Sequence, residues 1–217
     1  MIGRDSTHRR GFLGRAAALA AGAVVTPKLL DATSLSAEDE WLKRLTGAHR
    51  QLFDMPTEAG GLPLLHILNY VNTYNSAYGA KDSDVNAIGT FYGFTTFHGL
   101  NDAVWAKYKL GEIVNSKDAS GQPATANPWR TQVQALGMTI PAASIEALQK
   151  RGVLFLLCNN ALTLLSGMVA KARGLEQPAV YADLKANMLP GVVLVPAMVI
   201  AIEKAQTIGQ AAYRKEG

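Results

Sequence analysis

Five consecutive large apolar residues, Val153 to Leu157, lie between Gly152 and Cys158 with no polar residue among them. A strand with one face in water alternates apolar and polar side chains, so a run without alternation specifies a strand covered on both faces. Such strands occupy the middle of parallel sheets, whose crossover helices cover both sides. The rest of the chain agrees with this, because helix-period segments alternate with short apolar runs. The expected fold is a single α/β domain over residues 37–217, with a mostly parallel five-stranded sheet flanked by helices on both faces.

The first helix is expected over Ala37 to Leu45, closed by Gly47, and the first strand over His49 to Phe53, ending at Asp54-Met55-Pro56. Leu64, Ile67, Leu68, Val71, Asn75 and Tyr78 keep helical spacing and predict a buried stripe. On the same helix Leu62, His66, Asn69 and Thr73 form a second stripe that sets an imidazole beside an amide. Val85 to Tyr92 reads as the second strand, and Leu100, Val104 and Tyr108, widened by Trp105, as the buried stripe of the next helix. The polar stretch Asn115 to Pro128 reads as a surface loop, in an insertion that reaches about residue 135. It exceeds the usual connection in a compact domain, which places it near a functional face or an interface.

Ser144 can cap a helix containing Ile145 and Leu148, and Gly152 suits the left-handed position at its end. Past the central strand, Asn159-Asn160 open a helix whose apolar positions are Leu165, Met168, Val169 and Ala172, before Gly174. A further helix spans about Val180 to Met188, with Pro178 just ahead of it. Val192 to Val195 is expected as a fourth buried strand, and Pro196 in the first turn of a helix that ends at Gly209. Ala211 to Arg214 is expected as an edge strand.

The start of the chain reads differently. Arg9-Arg10-Gly11-Phe12-Leu13 precedes Ala16 to Val25, a small apolar segment without charge, and this is the layout of a signal peptide. Ten residues of helix rise only about 15 Å, half of a bilayer core, so the segment is too short to span a membrane. Arg9, Arg10, Phe12 and Leu13 resemble the twin-arginine export signal, with an ordinary secretory signal as the alternative. Residues 1–36 are therefore expected as a leader, with cleavage candidates at Ala32-Thr33-Ser34 and Ser34-Leu35-Ser36. The expected location is the periplasm, reached through the twin-arginine machinery, or a membrane-tethered position if the leader is retained. Five of the 21 basic and two of the 17 acidic residues fall in that segment, so the remainder is close to neutral at +1. A near-neutral domain argues against nucleic-acid binding.

Chemistry rests on few residues. A single cysteine, Cys158, rules out an internal disulfide and any Cys-x-x-Cys motif. It ends the central strand, where open α/β sheets bind ligands, and the start of the next helix favours a negatively charged sulfur there. The adjacent Asn159-Asn160 pair predicts a wet cleft mouth around it. The alternative is a small buried apolar residue. His66 and His98 are candidates to assist a thiolate or a ligand, with Asn159 and Asn160 as binding partners; for both histidines a hydrogen-bonded structural role is the alternative. Trp41, Trp105 and Trp129 read as core or interface packing; Asn69, Asn72 and Asn101 read as caps and turn residues, which is also the alternative for Asn159 and Asn160. No phosphate-binding glycine loop or metal spacing is visible, so neither metal nor cofactor is expected.

The run GVLFLLCNNAL, followed by PGVVLVPAMVIAIEKAQTIG, resembles the C-terminal half of the DsrE/DsrF-like sulfur-relay family. With HRQLFD, WAKYKLGE, NPW and YADLKANMLPG, the chain looks most like an exported subgroup of that family with twin-arginine leaders. The resemblance implies a parallel five-stranded α/β domain, assembly into a homo-oligomer, and a cysteine after a central strand that accepts sulfur as a persulfide. Cys158 stands at the matching place. It also implies a partner protein as sulfur donor or acceptor. The competing reading is a non-catalytic binding or assembly protein that uses the same fold for a small ligand, with Cys158 incidental.

Overall fold

In the computed structural model, which describes residues 35–217, strands and helices alternate along the chain. The leader residues Arg9, Arg10, Phe12 and Leu13, and with them the export signal, lie outside the described residues. A 3-10 helix, Ala37–Arg44, precedes β1 (His49–Asp54), α1 (Leu62–Tyr78) and β2 (Val85–Phe91). Then come α2 (Asp102–Tyr108), α3 (Leu110–Val114), the short strands β3 (Val133–Ala135) and β4 (Met138–Ile140), and α4 (Ile145–Lys150). The chain closes with β5 (Leu154–Cys158), α5 (Asn159–Arg173), α6 (Gln177–Ala186), β6 (Val193–Val195), α7 (Met198–Thr207) and β7 (Ala212–Lys215).

The five-stranded sheet has the order β6-β5-β2-β1-β7, and every pairing in it is parallel. The unalternating run becomes β5, the strand between β2 and β6, and Leu154 to Cys158 are all buried. Alternate residues serve opposite faces, as the two-residue repeat of a strand requires. Phe155 and Leu157 join a core built by α1, α2, α4, α5 and α6, whereas Leu154, Leu156 and Cys158 join a second core under α7 and the first 3-10 helix. Gly89 in β2 permits the first core to close, because a Cβ there would lie 2.6 Å from the Phe155 ring. That ring stacks on Phe91 with centroids 5.1 Å apart.

Several expectations need correction. Asn75 and Tyr78 do not continue the buried stripe of α1: Tyr78 is exposed and Asn75 bonds to Ala80 and Arg151. At 17 residues the helix is about 25 Å long and outruns strands of roughly 20 Å. In α5 the buried stripe is Leu162, Ser166, Val169 and Ala170, while Met168 and Ala172 face outward. Pro178 lies inside the first turn of α6, and Pro196 precedes α7, which starts at Met198. β6 is the edge of the sheet, so Val193 and Leu194 are only half-buried.

The insertion is more ordered than a surface loop. Ser116, Ala124 and Asn127 are buried in it, and β3 and β4 form an antiparallel hairpin. Leu136 and Gly137 make its turn, both with positive φ, which suits a two-residue hairpin turn but has no Asn-Gly or Asp-Gly signature in sequence. Ser144 caps α4 as expected, accepting the Ala147 N–H, and Gly152 has φ +87°.

Candidate functional site

All five strands point the same way, so the segments leaving their carboxyl ends gather at one edge of the sheet. After β5 the chain enters α5 over the first core, and after β6 it enters α7 over the second. The connections therefore part company between β5 and β6, the place where open α/β sheets form a crevice. Cys158, paired with Val195 of β6, occupies that point. Its Sγ accepts a backbone N–H from Ala161 in the first turn of α5 at 3.5 Å and another from Met198 at the start of α7 at 3.3 Å. One sulfur thus caps two helices, and the partial positive charge of both ends stabilises negative charge on it.

The wet cleft mouth expected around Cys158 is not found. The residue is 6% exposed. Of the neighbouring asparagines, Asn159 braces the crevice, its Oδ1 accepting the Tyr181 hydroxyl at 2.6 Å and tying α5 to α6, while Asn160 is exposed and its backbone N–H donates to the Pro196 carbonyl.

Four residues on this edge were not singled out from sequence. Asp54, buried at the end of β1, accepts the Tyr213 hydroxyl at 2.7 Å, and Thr90 Oγ1 stands 3.4 Å from its Oδ1. Burial, then the hydrogen bond and charge of Asp54, hold the Tyr92 phenol protonated well above its ordinary range, with smaller contributions from Tyr213 and Cys158. The hydrogen bond to Asp54, followed by burial, pushes Tyr213 up to about 12. A carboxylate closing a strand, Asp54, and an aromatic just past another, Tyr92, were the signals available in the sequence.

The two histidines are brought to neither each other nor the thiol. His66 Nδ1 lies 2.6 Å from Glu216 Oε2 beyond β7, so β2 and β1 separate it from Cys158. Its stripe does line a groove of about 350 Å³, with Asn69, Thr73, Tyr70 and Tyr74. His98 is fully buried against Trp129, with ring centroids 4.1 Å apart, and Trp105. Both tryptophans belong to the first core, across the sheet from the Cys158 sulfur. His98 Nε2 instead stands 3.1 Å from Glu58 Oε1, at the base of a cavity of about 550 Å³ beneath the insertion. Among the described residues no group of three or more His, Cys, Asp or Glu side chains could hold a metal ion, and no helix is long and apolar enough to cross a membrane. In comparisons with family models, curated proteins and solved structures, nothing matches this chain.

Proposed function

We propose that the chain is an exported DsrE-like protein that handles sulfur as a persulfide on Cys158. The observation that supports this best is the double capping of one sulfur by the amides of Ala161 and Met198 in the β5–β6 crevice. Chemistry at that point balances without an outside oxidant. The Cys158 thiolate attacks the outer sulfur of a donor persulfide, R–S–SH. The donor S–S bond breaks, R–S⁻ leaves, and the protein holds Cys158–S–SH. Transfer to an acceptor thiolate reverses these steps, and the same amides steady the negative charge on the sulfur that stays behind.

Periplasmic location by the twin-arginine route, assembly into a homo-oligomer, and a protein donor or acceptor of sulfur belong to the same proposal. Leu164 and Met168 on α5, with Val199 and Ile200 on α7, are exposed apolar side chains that an assembly would cover. The test is the intact mass of the native chain after exposure to glutathione persulfide. One added sulfur atom is expected, and none in Cys158→Ser. A thiol that neither gains sulfur nor reacts with iodoacetamide until the chain is unfolded would overturn the proposal.

A further inference from the structure

We propose that the cavity beneath the insertion is a binding site for a small organic cation bearing N–H donors, with the Glu58 carboxylate as its anchor. This site is separate from Cys158 and stands whether or not the thiol carries sulfur. The cavity, about 550 Å³, has the size of a small-molecule site. Glu58 reaches it from the segment after β1, at the carboxyl edge of the sheet where open α/β folds bind ligands.

One carboxylate oxygen of Glu58 is enclosed with two other polar atoms. Oε1 is sealed from solvent, and so are His98 Nε2 and Ser116 Oγ; none of the three makes a well-directed hydrogen bond. His98 Nε2 is nevertheless 3.1 Å from Oε1, so a proton must lie between them, since two lone pairs would repel. The Glu58 side chain as a whole is 31% exposed, and the residue lines the cavity. Burial acts to raise the Glu58 carboxyl, but the close approach and charge of His98, with Ser116 nearby, outweigh it and hold the group below its ordinary range.

The other charges on the cavity wall are either paired or exposed to solvent. Asp102 is held by Arg130 through Nε and Nη2 at 3.0 and 2.6 Å, and Arg130 also reaches Glu146. Asp118 accepts from the Ser120 and Gln122 amides of its own turn. Lys117 is exposed on the lining and has no ion-pair partner among the described residues, but a solvated ammonium acts weakly beside a half-buried carboxylate. Asp118 keeps its Oδ2 without a partner among the described residues but is exposed to solvent, so Glu58 is the half-buried anion on the lining that no lysine or arginine holds. Trp129 also borders the cavity, with His98 packed against its ring at 4.1 Å, so its fluorescence reports on the site.

The experiment is calorimetric titration of the full chain with methylammonium, butane-1,4-diamine and agmatine, and separately with acetate and phosphate, followed in parallel by tryptophan fluorescence. One-to-one binding of at least one cation is expected, with none of either anion. Glu58→Gln should weaken it by about tenfold or more, the loss of a charge-assisted hydrogen bond. Lys117→Glu, an exposed change that leaves the fold alone, should tighten it by about threefold at low ionic strength and not at high. Preference for the anions, silence of all three cations at millimolar concentration, or cation binding unchanged in both variants would each overturn the proposal.

Discussion

The Cys158 crevice and the cavity beneath the insertion share one edge of the sheet and are built in opposite ways. The crevice is made of regular structure: a strand end, two helix starts, and backbone amides that the fold places without help from side-chain identity. The cavity is made of irregular chain held by side chains, with Asn127 at its centre. Asn127 Nδ2 donates to the His98 and Leu100 carbonyls at 2.7 and 2.8 Å, while its Oδ1 accepts the Trp129 N–H at 3.0 Å. The first is covered and set by backbone, the second open and dependent on single residues. A functional position set by backbone should survive substitution around it, whereas one set by side chains should not.

Asn127→Ala breaks this contrast most sharply if it is wrong. It strips three buried hydrogen bonds and leaves two carbonyls and an amide unpaired, for a cost of about 3 kcal/mol. The expected outcome is a lower melting temperature and loss of the Trp129 fluorescence environment. Native alkylation of Cys158 should stay at the wild-type rate. Equal disturbance of both regions would mean they form one cooperative unit.

pH should separate the two regions from opposite ends of the scale. Glu58 is held below its ordinary range, so its contribution is present at neutral pH and is lost as pH falls through that lowered value. Tyr92 is held above its ordinary value of about 10, so its contribution is complete below that pH and declines as pH rises further. Tryptophan fluorescence from Trp129 is expected to change first in acid. The difference in tyrosinate absorbance between the wild type and Tyr92→Phe should stay low in alkali until the crevice side opens. Tryptophan changes that come in alkali but not in acid would reverse the assignment.

The smallest effect is expected from Ser144→Ala. Its hydroxyl accepts the Ala147 N–H at 3.3 Å, a long bond, so removal should cost about 1 kcal/mol or less. Ile145 and Glu146 donate to the Trp129 and Arg130 carbonyls at the base of the insertion. Hydrogen exchange should therefore speed up there and remain unchanged at Ala161 and Met198.

The same division explains what the sequence made legible. The unalternating run Val153 to Leu157 dictated a buried parallel strand, and Cys158 at its end came from counting. The cap at Ser144 and the left-handed Gly152 came from local chemistry that acts within a few residues. The covering of the thiol was hidden, because Asn159 and Asn160 are polar in any setting and only tertiary structure turns one toward Tyr181 and links the other to Pro196. Glu58 and His98 are 40 positions apart in the chain and sit on loops after different strands, where no periodicity links them. The hairpin of β3 and β4 was hidden for a different reason: its strands are three residues each, too short to show a pattern.

β7 joins the sheet beside β1, and the hydroxyl of Tyr213 reaches Asp54 across 159 positions of sequence. Closing a contact of that span demands a large loss of chain entropy before anything is gained, which slows folding. Until β7 arrives, the hydrogen-bonding groups along one side of β1 have no partner, so a half-made chain presents an open strand edge able to pair with another molecule. Completion of the sheet on that side is therefore expected late in folding, and pulse-labelling hydrogen exchange should protect the β1 amides that pair with β7 after those of β2 and β5.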